Sequence, residues 1–180
     1  MWSAMLSGVI QLDHFLRAWV VGHRLPFLDW VMWSLSIVGR GGMLWLAIAA
    51  TLVVTRRARP LMLAQLVFAL VLTAITADCG IRPAVNRARP FVATPQIPVI
   101  GSRPSDASFP SGHTATAFAG AFIVSRMARP LAPLWWVLAA AIAYSRVYLG
   151  VHYPIDLVGG ALLGLGAGAA SAYLWRDRHT

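Results

Sequence analysis

The sequence contains no lysine and no glutamate, so its 15 basic side chains are all arginines and its 6 acidic side chains are all aspartates. Charged residues make up 12% of the 180 residues, whereas a soluble domain carries about 25%. This shortage excludes a water-facing surface over most of the chain. A formal net charge of +9 would suit a nucleic-acid-binding protein. We exclude that class because the arginines are scattered between apolar runs and form no face of their own.

Cysteine is also scarce, since Cys79 stands alone and no intramolecular disulfide can form. The first residues lack the charged stretch, apolar core and small-residue cleavage site of a removable signal peptide, and none is predicted. Hydrophobic residues, by contrast, make up 58% of the chain, and the mean hydropathy is +0.67. These features predict one all-α integral-membrane domain over residues 1–180.

The apolar runs predict a polytopic membrane helical bundle with about five transmembrane helices. The predicted spans are Trp30–Val54, Leu61–Ala77, Gly112–Val124, Leu131–Tyr144 and Ile155–Trp175. The first run is interrupted by the sequence Gly-Arg-Gly-Gly at 39–42, and six spans are possible if this break is a true loop. Arg40 is costly in lipid, so we expect it to face the bundle interior or a membrane interface.

Residues 1–25 carry too many polar side chains for a membrane span. Val9, Leu12, Leu16 and Trp19 nevertheless recur at helical spacing. This pattern predicts an N-terminal amphipathic helix that lies in the membrane interface.

The turns between the spans indicate the orientation of the chain. With five spans, the short basic turns at 55–60, 125–130 and 175–180 all lie on one side. The positive-inside rule assigns that side to the cytoplasm. We therefore expect a multi-pass protein of the cytoplasmic (inner) membrane, with segments 82–112 and 146–153 on the extracytoplasmic side.

Candidate catalytic residues stand at the junction of the fourth and fifth spans. His152 and Asp156 are four residues apart at a helix start, so the carboxylate can orient the imidazole and stabilise its positive charge. An oriented neutral imidazole is a competent nucleophile towards phosphorus. Arg146 offers a planar charged fork suited to phosphate oxygens. Taken alone, the pair also fits an ordinary polar helix N-terminus.

A second candidate motif, residues 109–114, stands immediately before a predicted helix. Backbone N–H groups at a helix start bind anions, Gly112 permits close approach, and Ser111 adds a hydroxyl donor. His113 can protonate a departing oxygen.

A third segment, 82–90, supplies Arg82 and Arg89 as clamps for the charge of a transferring phosphoryl group. Two further arginines, Arg87 and Arg103, leave two alternatives open. They either contact a second phosphate or a headgroup, or they are simply solvated.

In their order and spacing these residues resemble the type 2 phosphatidic acid phosphatase (PAP2) superfamily, and its short bacterial membrane members in particular. The superfamily includes lipid phosphate phosphatases, glucose-6-phosphatase and vanadium haloperoxidases. The matching residues are Arg82, Arg89-Pro90, Pro110-Ser111-Gly112-His113, Ser145-Arg146, His152 and Asp156.

The resemblance implies hydrolysis through a phosphohistidine intermediate, without a metal or another cofactor. His152 would attack, Asp156 would orient it, and His113 would protonate the leaving group. The phosphate would be held by Arg82, Arg89, Ser111, Gly112 and Arg146. The family usually has lysine at the position of Arg82, and arginine keeps the charge but changes the geometry.

The leading hypothesis is a membrane lipid phosphatase, with undecaprenyl diphosphate as the best guess for the substrate and undecaprenyl phosphate as the product. Phosphatidylglycerophosphate, phosphatidic acid and lipid A phosphates fit the same residues, and so does a lipid phosphotransferase. A vanadate-dependent haloperoxidase is disfavoured by the membrane spans, and a non-enzymatic lipid-binding protein would not need the His152–Asp156 pair. Membrane lipids are the expected partners, and no sequence feature indicates an obligatory protein partner.

Overall fold

The structure is a computed structural model that describes residues 2–175. Every regular element in this range is helical, which confirms the predicted all-α bundle. The helices are α1 (Trp2–Gly22), α2 (Pro26–Val38), α3 (Met43–Val54), α4 (Pro60–Ile75), α5 (Arg82–Val85), α6 (Pro90–Ala93), α7 (Gly112–Met127), α8 (Ala132–Tyr148) and α9 (Pro154–Leu174). Short 3₁₀ turns span Arg40–Gly42 and Arg129–Leu131, and a π-helical segment, Thr76–Ile81, continues α4 into α5. The predicted basic C-terminus at 176–180 lies outside the described residues.

Helix α7 forms the centre of the bundle and packs against α3, α4, α8 and α9. Its small side chains allow this, since alanine and glycine let neighbouring helix backbones approach closely. Ala115, Ala117, Ala119 and Ala121 are fully buried, and the buried indole of Trp45 covers Gly120. The sequence 112–127 therefore lies behind a shell of other helices.

The length and apolarity of the helices bear on the predicted number of about five membrane spans. Three segments of the described chain are long and apolar enough to cross a membrane: Pro60–Ala93, Arg129–Tyr148 and Pro154–Leu174. The bent pair α2–α3 adds a fourth if it counts as one span. Helix α7 has 16 residues, fewer than the roughly 20 that a bilayer needs, and it packs as an inner rod.

The break predicted in the first span is present, and α2 and α3 are bent by 50° across it. Gly41 and Gly42 adopt φ values of +61° and +76°, a region in which side-chain-bearing residues are strained. A Cβ at Gly42 would also lie 2.7 Å from the side chain of Leu70. Backbone geometry and packing therefore both require glycine at this kink.

Helix α1 is amphipathic, as predicted, and its polar side faces the protein. Asp13 and Arg17 are only 2% and 3% exposed, whereas Leu12 and Trp19 are more than half exposed. The carboxylate of Asp13 accepts a hydrogen bond from the N–H of Ile155, which ties α1 to the first turn of α9. Location of α1 in the membrane interface stays a prediction.

The bundle has two distinct ends. At one end the starts of α7 and α9 meet, because the N–H of Ser111 donates to the carbonyl of Asp156 over 3.0 Å. At the other end the hydroxyl of Ser171, late in α9, donates to the carbonyl of Gln65, early in α4. The predicted catalytic segments lie at the first end, and the basic turn at 55–60 lies at the second.

Helix α9 carries a glycine at every fourth position, Gly160, Gly164 and Gly168, a small-xxx-small pattern that favours close packing of helices. All three glycines are buried against α7, and a Cβ at Gly164 would lie 2.2 Å from the carbonyl oxygen of Ala115. We expect Gly164→Ala to lower the free energy of unfolding by about 1–3 kcal/mol, because the helices must move apart. Denaturant unfolding of the purified protein in one detergent measures the change.

Gly166 is the matched control, because no atom lies within 4 Å of a Cβ at that position. Gly166→Ala should change the free energy of unfolding by less than about 0.5 kcal/mol. Equal effects of the two substitutions would contradict the packing assigned to Gly164.

Candidate active site

Six of the eight predicted site residues line one cavity of about 280 Å³ at the end of the bundle where α7 and α9 begin. They are Arg82, Arg89, Gly112, His113, Arg146 and His152. These residues come from three separate segments of the chain, 82–89, 112–113 and 146–152. The structure therefore brings the three predicted motifs together around a space that suits one phosphate group.

His152 lies in the turn between α8 and α9 and is 2% exposed. Its Nδ1 lies 3.3 Å from Oδ2 of Asp156, and its Nε2 lies 3.2 Å from Nη1 of Arg89. A carboxylate only accepts hydrogen bonds and a guanidinium only donates them. Nδ1 therefore carries the ring proton, and the Nε2 lone pair is directed towards the arginines.

Asp156, which orients this ring, has no exposed surface. Its Oδ2 also accepts hydrogen bonds from the Ser108 hydroxyl (2.5 Å) and the Tyr153 N–H (2.9 Å). Its Oδ1 accepts one from Nη1 of Arg87 over 2.7 Å. A buried carboxylate needs such a full set of donors, and this set fixes the plane of the carboxylate.

Arg89 is held rigidly at the base of the cavity. Its guanidinium donates to the carbonyl of Val151 (2.9 Å) and to Oδ1 of Asp106 (2.8 Å). Oδ2 of Asp106 lies 2.9 Å from Arg82, which also pairs with Asp78. Burial would raise the pKa of Asp106, but Arg89 and Arg82 outweigh it, so the pKa lies below its ordinary value and the group is an anion at neutral pH.

The start of α7 forms another wall of the cavity. A Cβ at Gly112 would lie 2.7 Å from Nη2 of Arg82, so glycine lets this guanidinium approach the helix start. Ser111 does not line the cavity. Its hydroxyl accepts hydrogen bonds from the N–H and the hydroxyl of Thr114 and caps the helix. The structure thus gives Ser111 a capping contact, and its predicted role as a phosphate donor stays untested.

His113 and Arg146 lie on the side of the cavity that faces α2. Arg146 is 7% exposed, and its Nη1 donates to the hydroxyl of Ser36. Nε2 of His113 is buried and has no hydrogen-bond partner among the described residues. This ring nitrogen is thus available to a group bound in the cavity.

Four residues that contact the site were not assigned to it by the sequence: Asp13, Arg87, Asp106 and Ser108. Arg87 was left open between phosphate contact and solvation, and the structure pairs its guanidinium with Asp13 and Asp156. Ser108 lies two residues before Pro110, but nothing in its spacing predicted a hydrogen bond to Asp156. These contacts join segments far apart in the sequence, and only the folded chain places them together.

This arrangement of side chains suits the transfer of a phosphoryl group. Three guanidinium groups surround a space in which a neutral imidazole nitrogen is oriented by a buried carboxylate. Guanidinium groups complement the negative charge of a phosphoryl group during its transfer. A second imidazole, that of His113, lines the same space and can supply a proton to a departing oxygen.

Comparison with known proteins agrees with this chemistry. The family model described as PAP2 superfamily matches residues 61–180. An undecaprenyl-diphosphatase of Sulfolobus acidocaldarius is 31% identical over 147 residues, covering 79% of this chain and 68% of that protein. A lipid A 4'-phosphatase of Bacteroides thetaiotaomicron is 30% identical over 175 residues, covering 89% of this chain and 75% of that protein. Some other curated relatives match over a shorter segment, and the chain spans less than half of their length.

The fold is shared with a solved structure, that of Aquifex aeolicus LpxE. The two chains superpose with a TM-score of 0.76 at 27% identity, over 88% of this chain and 93% of the other. The fold and the site together define a membrane-embedded phosphatase of lipid phosphates. The chain belongs to the PAP2 superfamily.

The protonation of His152 gives a test of the site. Burial, reinforced by the charges of Arg89 and Arg146, lowers the pKa of His152 to about 4, although the hydrogen bond to Asp156 acts in the opposite direction. We expect the imidazole to stay neutral from pH 8 down to pH 5. Nitrogen-15 NMR of histidine-labelled protein, with His152→Ala to assign the signal, measures the midpoint.

The lowered pKa of His152 makes the stability of the folded protein depend on pH. An unfolded chain protonates this histidine near pH 6.5, whereas the folded protein does so only near pH 4. The contribution of His152 to stability is therefore fully present above pH 6.5 and is lost as the pH falls towards 4. A midpoint close to 6.5 in the NMR titration would contradict the buried, neutral imidazole.

Proposed function

We propose that the protein hydrolyses a lipid phosphate or diphosphate through a phosphohistidine formed on Nε2 of His152. The observation that carries this proposal is the orientation of the imidazole. Asp156 holds the proton-bearing Nδ1, and the free Nε2 lone pair lies beside Arg89 in the arginine-lined cavity. A bound phosphate would take up the guanidinium hydrogen bond that Nε2 now accepts.

In the first step Nε2 of His152 attacks phosphorus, and the bond from phosphorus to the leaving oxygen breaks. The electron pair of that bond stays on the oxygen, which takes a proton from the imidazolium form of His113, a form that the negative charge of the bound phosphate stabilises. The imidazole becomes positively charged, and the nearby carboxylate of Asp156 stabilises it. The arginines stabilise the charge that spreads over the phosphoryl oxygens.

In the second step a water molecule attacks the phosphohistidine. His113, now unprotonated, takes a proton from the water, and the electron pair of the N–P bond returns to Nε2. Inorganic phosphate leaves, and both histidines regain their starting states. If a lipid or sugar hydroxyl replaced the water, the same site would act as a phosphotransferase, and product analysis with added acceptors distinguishes the two reactions.

Undecaprenyl diphosphate is the substrate we favour, with undecaprenyl phosphate as the product. The similarity to an undecaprenyl-diphosphatase over 79% of the chain supports this choice. Phosphatidylglycerophosphate, phosphatidic acid and lipid A phosphates are the alternatives, and the similarity to a lipid A 4'-phosphatase favours the last of these. Side-by-side assays are therefore part of the test.

We also propose that the site opens on the extracytoplasmic side of the cytoplasmic membrane. Arg56, Arg57 and Arg59 form a basic turn at the end of the bundle away from the site, where cytoplasmic loops carry such charge. At the site end Arg82, Arg87 and Arg89 contact carboxylates and Arg146 lines the cavity, so these four do not act as free topology signals.

The first experiment measures phosphate release by purified protein in detergent with EDTA present. Undecaprenyl diphosphate, phosphatidylglycerophosphate, phosphatidic acid and lipid A are compared. We expect release that does not depend on a metal, and a loss of at least about 10³-fold in kcat for His152→Ala, because the nucleophile is removed. An acid-labile phosphoenzyme should be trapped with wild-type protein and not with this variant.

His23→Ala is the matched control, because His23 is exposed and lies in the turn after α1, outside the cavity. Its activity should equal that of the wild type. Full activity of His152→Ala, or release that disappears with EDTA, would contradict the proposed mechanism.

A further inference from the structure

A second cavity of about 310 Å³ adjoins the first one, and His113 and Arg146 line both. The far side of this second cavity is formed by α2 and the kink that follows it, with Ser36 and Arg40 among the lining residues. The two cavities therefore form neighbouring compartments with His113 and Arg146 on their common wall.

The second cavity is positively charged without compensation. Arg40 and Arg146 line it, whereas none of its lining residues is a carboxylate. The first cavity, by contrast, contains Asp78 and Asp106 beside its arginines. Two guanidinium groups that face one space without a carboxylate favour the binding of an anion there.

The kink explains how an arginine comes to this place. Irregular backbone at membrane depth is tolerated where it lines a cavity, and an arginine in a membrane segment marks a functional path. Gly41 lines the first cavity and Arg40 lines the second. The break between α2 and α3 thus borders both compartments.

We propose that the second cavity binds the lipid-linked phosphate of a diphosphate substrate, and that Arg40 recognises this second phosphate. The inference rests on the proposed hydrolysis at His152. The terminal phosphate lies in the first cavity, where Nε2 attacks it and the bond to the bridging oxygen breaks. The bridging oxygen keeps the electron pair and takes the proton of His113. The leaving group, a lipid monophosphate, must therefore lie on the His113 side, which is where the second cavity begins.

The remaining lining of this cavity suits the attached lipid. Trp33, Ile37 and Ile100 add apolar surface to it. Trp33 and Ile37 are 42% and 41% exposed on the outer face of α2, so a chain leaving the cavity there would reach the bilayer. One compartment thus combines a charged part with an apolar part, as a phosphorylated lipid does.

Arg40→Gln tests this assignment with farnesyl diphosphate and farnesyl monophosphate as substrates of equal chain length. We expect kcat/KM for the diphosphate to fall by about 10- to 100-fold, because a charged hydrogen bond to the second phosphate is lost. The value for the monophosphate should change by less than about 2-fold. Arg103→Gln is the matched control, because Arg103 lies over Phe91 and lines neither cavity.

Equal losses on the two substrates, or no loss on either, would overturn the role of Arg40 and leave the proposed phosphatase intact. A binding measurement covers the case in which neither lipid is hydrolysed. In a His152→Ala background, inorganic pyrophosphate should raise the melting temperature more than orthophosphate does, and Arg40→Gln should remove this difference. No such preference with Arg40 present would overturn the assignment.

Asp13 and Arg87 form an ion pair next to Asp156. The Arg87 guanidinium lies between two carboxylates that have no exposed surface, and it donates to Oδ2 of Asp13 and to Oδ1 of Asp156. Its Cζ also stacks 4.1 Å above the ring of Tyr153. This geometry leaves Oδ2 of Asp156 to face Nδ1 of His152.

We infer that Asp13, on the N-terminal helix, is a positioning residue for the nucleophile and acts through Arg87 and Asp156. The charges support an effect that passes from Asp13 through Arg87 to Asp156. Without Asp13, the full charge of Arg87 acts on Asp156, which then stabilises the imidazolium of His152 less well. The N-terminal helix would therefore contribute to catalysis although it contributes no group to the cavity.

Asp13→Asn tests this role while it preserves the size of the side chain. We expect kcat to fall by roughly 10-fold with KM unchanged, because a displaced imidazole lowers the rate and leaves the phosphate clamps in place. In the double variant Asp13→Asn with Asp156→Asn, the loss should equal that of Asp156→Asn alone, since Asp13 acts through Asp156.

If the fold-losses in kcat of the two single variants multiply in the double variant, Asp13 acts independently of Asp156 and the inference is overturned. A change confined to the melting temperature, with kcat unaltered, would do the same. Gln11→Ala serves as the control on the same helix, because Gln11 is exposed and does not belong to this charged chain.

Discussion

A carboxylate with no exposed surface, that of Asp156, organises this end of the molecule. A buried charge must be compensated by donors, and the donors to Asp156 come from three places: the loop before α7, the turn before α9 and the segment after α5. The requirement to satisfy one carboxylate therefore fixes the loops around it. The same carboxylate orients His152, so one group both fixes the surrounding loops and orients the imidazole.

The close packing of α7 makes this arrangement possible. Alanine and glycine on α7 and α9 allow the two backbones to touch, as the approach between Gly160 and the carbonyl of Ser111 shows. Bulkier side chains would separate the starts of these helices, and His113 and His152 would no longer line one cavity. Helix packing at this contact consequently sets the distance between the two histidines.

Charge is scarce in the chain, and the structure concentrates it at the two ends of the bundle. At the site end Arg82, Arg87 and Arg89 pair with aspartates and Arg146 lines both cavities, while the basic turn at 55–60 lies at the other end. Arg40 and the kink around it border a cavity, as expected of a polar or irregular element in a membrane bundle. Helix α1 likewise buries Asp13 and Arg17 against the protein and exposes its apolar side.

The sequence by itself determined the class of fold and the membrane setting, and six of the eight site residues that it predicted line one cavity. Long apolar runs require helices in a bilayer, and the spacing of His152 and Asp156 depends only on one helical turn. The break at Gly41 was also predicted from the sequence, because glycine interrupts a helix locally. The tertiary structure alone decided that α7 is an inner rod and that Asp13 reaches Asp156 through Arg87. The contacts of Arg87 join residues 74 and 69 positions apart along the chain, and their formation depends on how the helices pack, which no local pattern of residues encodes.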